Sequence, residues 1–224
     1  MAAAPCAKAK IVNLSLCLDA GPARLHAAAL MPTLSPLLSE RLMLCPPSPT
    51  LTPAVLDFFV RNQAHLAPWD PPQPADVLTL QGQARRMAQA LQAFRDGQGL
   101  RYWLCMRAQP ERVVGTLHFS AIARGPFQNT LLGYSLDQGC QGQGLMGEAL
   151  ARGLQDVFSG PLRLHRVQAA VQPVNRRSSA LLQRLGFRRE GLAPRYLFIA
   201  GAWRDHEIWS LLNPDWPDGL PPVG

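Results

Sequence analysis

Apolar positions along this chain change their period several times, and each change marks an element. Glu40 to Cys45 (ERLMLC) is a short strand-like run closed by the turn-rich PPSPTLTP, which predicts a first strand. In AVLDFFVRNQA, Val55, Phe58 and Phe59 then stand at i, i+3 and i+4, the spacing of a helix face, with Thr52 as cap and Pro53 in the first turn. The next stretch, APWDPPQP at 67 to 74, has no period. Each proline lacks an N–H and restricts its predecessor, so the stretch reads as a stiff loop presenting Trp69. Residues 80 to 97 predict a long amphipathic helix ending at Gly97. Residues 102 to 107, 113 to 122 and 130 to 136 predict three strands, with Gly or Asn in the intervals.

From residue 130 the order becomes strand, glycine loop, helix, strand, helix, strand. LLGYSL leads into DQGCQGQG, and the segment from Leu145 to Phe158 puts Met146, Leu150, Leu154, Val157 and Phe158 on one helical stripe. Arg166 to Val171 is the next strand and Asn175 to Leu185 the next helix, stopped by Gly186 at the C′ position. Runs at 196 to 199 and 203 to 212 complete the pattern. A strand–helix–strand crossover requires parallel pairing, so the fold class expected is α/β, with a twisted mixed central sheet flanked by helices. The two parallel strands are expected to splay apart at Leu136.

The chain has 224 residues and 47% hydrophobic content, enough for one generous domain with a real core. No run of 18 uncharged apolar residues occurs, so no membrane-spanning segment is expected. Lys8 and Lys10 precede IVNLSLCLDA in weak imitation of a signal peptide, but Asn13, Ser15 and Asp19 interrupt the apolar run. Residues 1 to 37 read as a disordered extension or a misassigned start, 38 to 216 as the catalytic domain and 217 to 224 as a loose tail. Five cysteines, odd in number and never spaced C-x-x-C, suggest neither a disulfide framework nor a zinc site; no metal is expected, and a reducing cytoplasm fits. The net charge of +7 points to an anionic ligand or partner, although no block of like charges marks a nucleic-acid module.

Gly142, Gly144 and Gly147 spell G-x-G-x-x-G ahead of a helix. Successive amides and the helix dipole make such a loop an anion site, and glycine lets a phosphate approach the backbone. A dinucleotide site also needs an acidic residue about twenty positions on, to hold the ribose. There is no Asp or Glu between Asp156 and Glu190, and the loop comes late in the chain, so NAD is disfavoured. A coenzyme A diphosphate needs the same loop without that carboxylate. YSLDQGCQGQGLMGEAL followed by QPVNRRSSALLQRLGFRREG resembles the GNAT acetyltransferase pattern. NQAHLAPWDPP, GYSLDQGCQGQGLM, LGFRREG and GAWRDHEIWSLLNPDW together resemble its RimJ/RimL type, the ribosomal-protein alanine N-acetyltransferases. The likeness runs from about Leu38 to Trp216.

The resemblance implies a GNAT-like (acyl-CoA N-acyltransferase) fold and acetyl-CoA as co-substrate. It implies that the amides of Gln141, Gly142, Gln143, Gly144, Leu145 and Met146, opening the helix at Gly147, hold the diphosphate. It also implies that the backbone at Leu136 and Asp137 pairs with the pantetheine arm, that Asn175 bonds the cofactor or its neighbouring strand, and that the Ser178 hydroxyl reaches the thiolate. Read from the residues alone, Asn175 and Ser178 are equally an N-cap and a first-turn hydroxyl. Departures stand beside these matches. Gly139 occupies the position where the family loop has Gln or Arg, Leu182 that of a tyrosine acid, and Leu131 that of a carboxylate in some relatives.

Acetyl transfer needs a neutral amine held against a polarised thioester. At pH 7 roughly a tenth of an α-amine, but under about 0.1% of a lysine, is neutral, so N-terminal acetylation tolerates the missing base. His118, or Asp205 with His206, is a candidate proton relay. The acceptor expected is the α-amine of a protein chain, an N-terminal alanine of a ribosomal protein, acetylated directly in a ternary complex. Trp69 would form one wall of its site, and Tyr196 and Trp203 the other. The competing readings are a small-amine acetyltransferase acting on an aminoglycoside or polyamine, and a ribosome-assembly factor whose basic surface meets RNA. A monomer or homodimer fits either class.

Overall fold

The computed structural model describes residues 34–217. The expected extension before residue 34 and the tail from residue 218 lie outside the described residues. Eight strands form one sheet: β1 (Leu37–Leu38), β2 (Leu42–Cys45), β3 (Leu100–Met106), β4 (Gln109–Ala123), β5 (Asn129–Leu136), β6 (Arg166–Val171), β7 (Arg188–Ile199) and β8 (Ala202–Leu212). Their order is β1-β2-β3-β4-β5-β6-β8-β7. Every pairing is antiparallel except β5 with β6, which are joined by the helix α3 (Leu145–Ser159). The other helices are α1 (Thr52–Leu66), α2 (Leu80–Arg95) and α4 (Arg176–Arg184).

The sheet divides the interior into two cores because strand side chains alternate. Tyr102 and Leu104 of β3 meet Leu145, Leu150 and Val157 of α3 on one face. Trp103 and Cys105, one residue out of step, meet Val55, Phe58 and Phe59 of α1 on the other. Leu150 and Val157 are wholly buried, as the predicted stripe requires. The caps are local: Thr79 Oγ1 accepts the Gly82 N–H at 3.0 Å to start α2, and Gly186, at φ 88°, ends α4. Thr52 differs from expectation. A 3₁₀ turn over Pro49–Leu51 carries the chain straight into α1, so Thr52 is the first helical residue, buried, and forms no cap bond.

Two strands exceed the sequence reading. β1 is two residues long, and β7 begins at Arg188 rather than 196. The added part of β7, RREGLAPR, lies at the sheet edge with most side chains exposed, so no alternation of burial marks it and its proline is tolerated.

The feature that positions the site is the parallel pair. Its register runs from Asn129↔Arg166 to Leu132↔Ala169 and stops. β5 continues to Leu136 held by Gly115 of β4, and β6 continues to Val171 held by Glu207 of β8. Each strand keeps its outer neighbour while the sheet twist carries them apart. The splay therefore opens at Gly133, earlier than the expected Leu136.

Leu150→Ala should lower stability by about 3 kcal/mol in urea unfolding, because the site is fully buried between α3 and the sheet. Val60→Ala, on the exposed side of α1, should stay within about 0.5 kcal/mol of the parent.

Candidate active site

The glycine loop is built on Asp137. Its Oδ1 accepts the Gly139 N–H at 3.0 Å and its Oδ2 accepts Nε–H of Arg61 at 2.7 Å, with Arg112 at 3.4 Å. Burial alone would raise this carboxyl, but the bonds from Arg61 and the Gly139 amide hold its pKa below the usual range. Asn62, one turn before the last buried residue of α1, accepts the Gln138 N–H at 3.0 Å. Gln141 is gripped from both sides, by His65 at 2.9 Å and by Arg177 of α4, which donates at 2.7 Å. Arg41 closes the other flank, donating to the Gln143 carbonyl at 3.0 Å and to Glu148 at 2.8 Å. The loop is thus ringed by Arg41, Arg61, Arg112 and Arg177.

Inside that ring the backbone is arranged for an anion. Gly142 and Gly144 lie at φ 76° and 77°, where other residues are strained, and a Cβ at Gly142 would meet nothing within 4 Å. Gly144 is the N-cap of α3, so the amides of Leu145, Met146 and Gly147 have no intrahelical acceptor. These groups fit a diphosphate without a ribose carboxylate.

The opened edge of β5 fits an extended, amide-bearing arm. The Asp137 N–H donates to the Val114 carbonyl at 2.8 Å, so the odd-numbered peptides of this stretch face β4. The alternation turns those of Leu136 and Tyr134 toward the gap. Asp137 therefore departs from expectation: its N–H is taken by Val114 and its carbonyl by Cys140, and it shapes the loop instead of offering backbone to a ligand.

A cavity of about 480 Å3 passes through the gap. Asn175 and Ser178 reach it from the start of α4, where Asn175 Oδ1 accepts the Ser178 N–H at 3.2 Å, so the capping role is present. The Ser178 hydroxyl lies 2.8 Å from the Tyr134 hydroxyl, whose pKa burial pushes up to about 12. Trp69 and Asp70 from the proline-stiffened loop and Tyr196 from β7 also line the cavity. Trp203 does not. It pairs with Phe198 toward the β7–β8 hairpin tip, ring centroids 5.8 Å apart, and is 61% exposed. Asp205 is committed elsewhere, its Oδ1 accepting the Arg195 N–H at 2.8 Å, while His206, buried beneath Tyr196, does line the cavity.

His118 lines the cavity, but burial, with Arg101 and Arg86 beside it, pushes its pKa down to about 3. Such an imidazole is neutral at pH 7 and too weak a base to take a proton from an ammonium. Asp70 is the group that the sequence reading missed. Among the described residues it is the one carboxylate on the cavity wall, and burial raises its pKa against the pull of Arg86 and Arg101. Tyr134 was missed as well, although GYSL stood next to the loop motif.

A family model described as "Acetyltransferase (GNAT) domain" matches residues 41–188. The chain is 36% identical over 163 residues to the [ribosomal protein uS5]-alanine N-acetyltransferase of Escherichia coli (strain K12), which covers 73% of this chain and 83% of that protein. A crystal structure of ribosomal-protein-S5-alanine acetyltransferase from Vibrio fischeri superposes with a TM-score of 0.77 at 32% identity, covering 81% of this chain and 98% of the other. Mycobacterium smegmatis RimJ in complex with CoA-disulfide gives 0.72 at 27% identity, covering 82% and 92%.

Gly142→Asp places a carboxylate in open space inside the loop. It should abolish coenzyme A binding in titration calorimetry while lowering Tm by only a few degrees, at about 1–2 kcal/mol for a side chain at positive φ. His118 carries a pH signature. Its folded pKa lies below the ordinary 6.5, so between the two values the unfolded chain binds the extra proton and stability falls as pH falls. Urea midpoints for His118→Gln should show a shallower loss between pH 6.5 and 5 than the parent.

Proposed function

The chain belongs to the GNAT acetyltransferase family and is an acetyl-CoA-dependent N-acetyltransferase, and from that premise we propose that its acceptor is the N-terminal α-amine of a protein. An alanine at the start of a ribosomal protein is the acceptor that the relatives' names suggest for this chain, and it sets the reaction in the cytoplasm and the enzyme near ribosomes. The observation that carries this reading is the cavity itself. It runs from the parted strands to a wall made by Trp69, Asp70 and Tyr196, with room for an extended chain end and one carboxylate on its surface.

The cofactor supplies a thioester carbonyl in the gap between β5 and β6. The amides of 142 to 147 and the arginine ring hold its diphosphate, and the peptides of Leu136 and Tyr134 align its arm. Asp70 receives the proton that the α-ammonium sheds, leaving a neutral nitrogen to attack the carbonyl in a ternary complex. Burial and the reference value near 7.8 for an α-amine bring the two groups closer than Asp70 could come to a lysine at 10.4. As the C–S bond breaks, the proton that the nitrogen sheds passes through the Ser178 hydroxyl, backed by Tyr134, to the departing thiolate. Asn175 fixes Ser178 in place by capping α4.

Matched peptides test the acceptor: one with a free N-terminal alanine and blocked lysines, the other N-terminally blocked with a free lysine. Turnover near pH 7 should favour the first by at least about tenfold, given the roughly 300-fold difference in neutral amine expected from reference pKa values. A preference for the lysine peptide, or for a polyamine over both, overturns the N-terminal assignment and leaves the cofactor site standing.

A further inference from the structure

Three residues lie in one row across three neighbouring strands: Gly133 of β5 is paired with His118 of β4, and His118 with Arg101 of β3. Directly paired residues share a face, and a Cβ at Gly133 would stand 2.3 Å from the imidazole. The row therefore leads along the cavity floor from the parted strands to Arg101, two strand spacings or roughly 10 Å away. There Arg86 of α2 joins it on the same wall.

Neither guanidinium has an ion-pair partner among the described residues. Arg101 donates to Thr116 Oγ1 at 3.3 Å and lies over the Trp103 ring; Arg86 donates to Gln73 Oε1 at 2.6 Å and lies over Phe59. Most of their donors are left over. Burial, and then the neighbouring Arg86, lower the Arg101 pKa to about 10, so the two cations crowd each other. Among the described residues the opposite charge that faces them is Asp70, and His118 beside Arg101 is neutral. One carboxylate against two guanidiniums leaves the wall positive, and Asp70 stands beyond ion-pair distance of either. Partly buried guanidiniums with unused, forked donors are stabilised by a carboxylate, which accepts from them in parallel pairs.

We propose that Arg101 and Arg86 form a carboxylate-binding subsite of the acceptor cleft, selecting chain ends that carry an acidic side chain at the third or fourth residue. The inference rests on the N-terminal reading above. The spacing follows from the row: an extended chain advances about 3.3 Å per residue, so from an amine at Gly133 a side chain at the third or fourth residue comes level with Arg101. The same two cations repel a protonated amine, so the subsite draws the acceptor in by its acid while favouring the neutral nitrogen.

The test uses the full chain with acetyl-CoA and three peptide amides that carry no free side-chain amine: Ala-Gly-Gly-Glu-Gly, Ala-Gly-Gly-Gln-Gly and Ala-Gly-Gly-Lys-Gly with the lysine side chain acetylated as a size control. The Glu peptide should exceed both others in kcat/KM by about tenfold, chiefly through KM, since a charge-assisted pair is worth at least that factor. The advantage should shrink as salt rises. In R101Q/R86Q the Glu peptide should lose its advantage to within about twofold, with acetyl-CoA affinity by calorimetry reporting that the variant is folded. The comparison in the parent enzyme does not depend on the variant. Equal use of the Glu and Gln peptides overturns the subsite while the N-terminal reading survives. No turnover of any of the three, with acetylation of an N-terminally blocked lysine peptide or of a polyamine, overturns the N-terminal reading and the subsite with it.

Discussion

One interrupted ladder governs this molecule. β5 and β6 are paired from Asn129↔Arg166 to Leu132↔Ala169 and then run on unpaired, each still fastened to its outer neighbour. Backbone N–H and C=O groups away from water need partners, and an opened edge inside a sheet leaves a row of them without any. That demand is local and directional: it belongs to Leu136 and Tyr134, whose peptides face the gap, and not to Asp137, whose peptide is satisfied by Val114 and Cys140. A ligand with amides at strand spacing completes the sheet. Gly133, at the mouth of the opening, leaves just enough room for the His118 ring to lie against the backbone.

The glycine loop and the acceptor side of the cavity solve opposite electrostatic problems. At the glycine loop, Asp137 draws Arg61 and Arg112 inward, so the positive ring is anchored by a buried anion and its remaining field is directed at the amides of the α3 start. On the cavity wall the guanidiniums of Arg86 and Arg101 have no ion-pair anchor among the described residues, and Asp70 shares that wall with them. His118, neutral beside Arg101, adds no charge of its own to that wall.

The sequence made the loop, the parallel pair and both flanking helices legible, because each has a local signature: G-x-G before an apolar stripe, and a capping Asn three residues before the Ser178 amide it accepts. The edge half of β7 lacked one, since RREGLAPR is exposed and broken by Gly191 and Pro194. The cavity wall was harder for a different reason. Asp70, Arg86 and Arg101 come from a loop, a helix and a strand with no common period, and only the tertiary fold puts them on one surface. Trp203 shows the converse error. An aromatic in the right segment looked like a cleft wall, but the register step between Ala193 and Leu197 brings Tyr196 to the cavity and leaves Trp203 against Phe198 near the hairpin tip.

Helix α1 links what these regions do. Arg61, Asn62 and His65 grip the glycine loop from its last turns, and two residues after its end at Leu66 the chain becomes Pro68, Trp69 and Asp70. The stiff prolines give that junction little slack. Gln172 Nε2 donates to the Pro68 carbonyl at 3.1 Å, tying the same junction to the end of β6. The last turns of this fifteen-residue helix therefore form one joint that braces both the glycine loop and the wall of Trp69 and Asp70. A change that loosens this joint, such as the loss of the Gln172 bond, is felt by the loop and by the wall together.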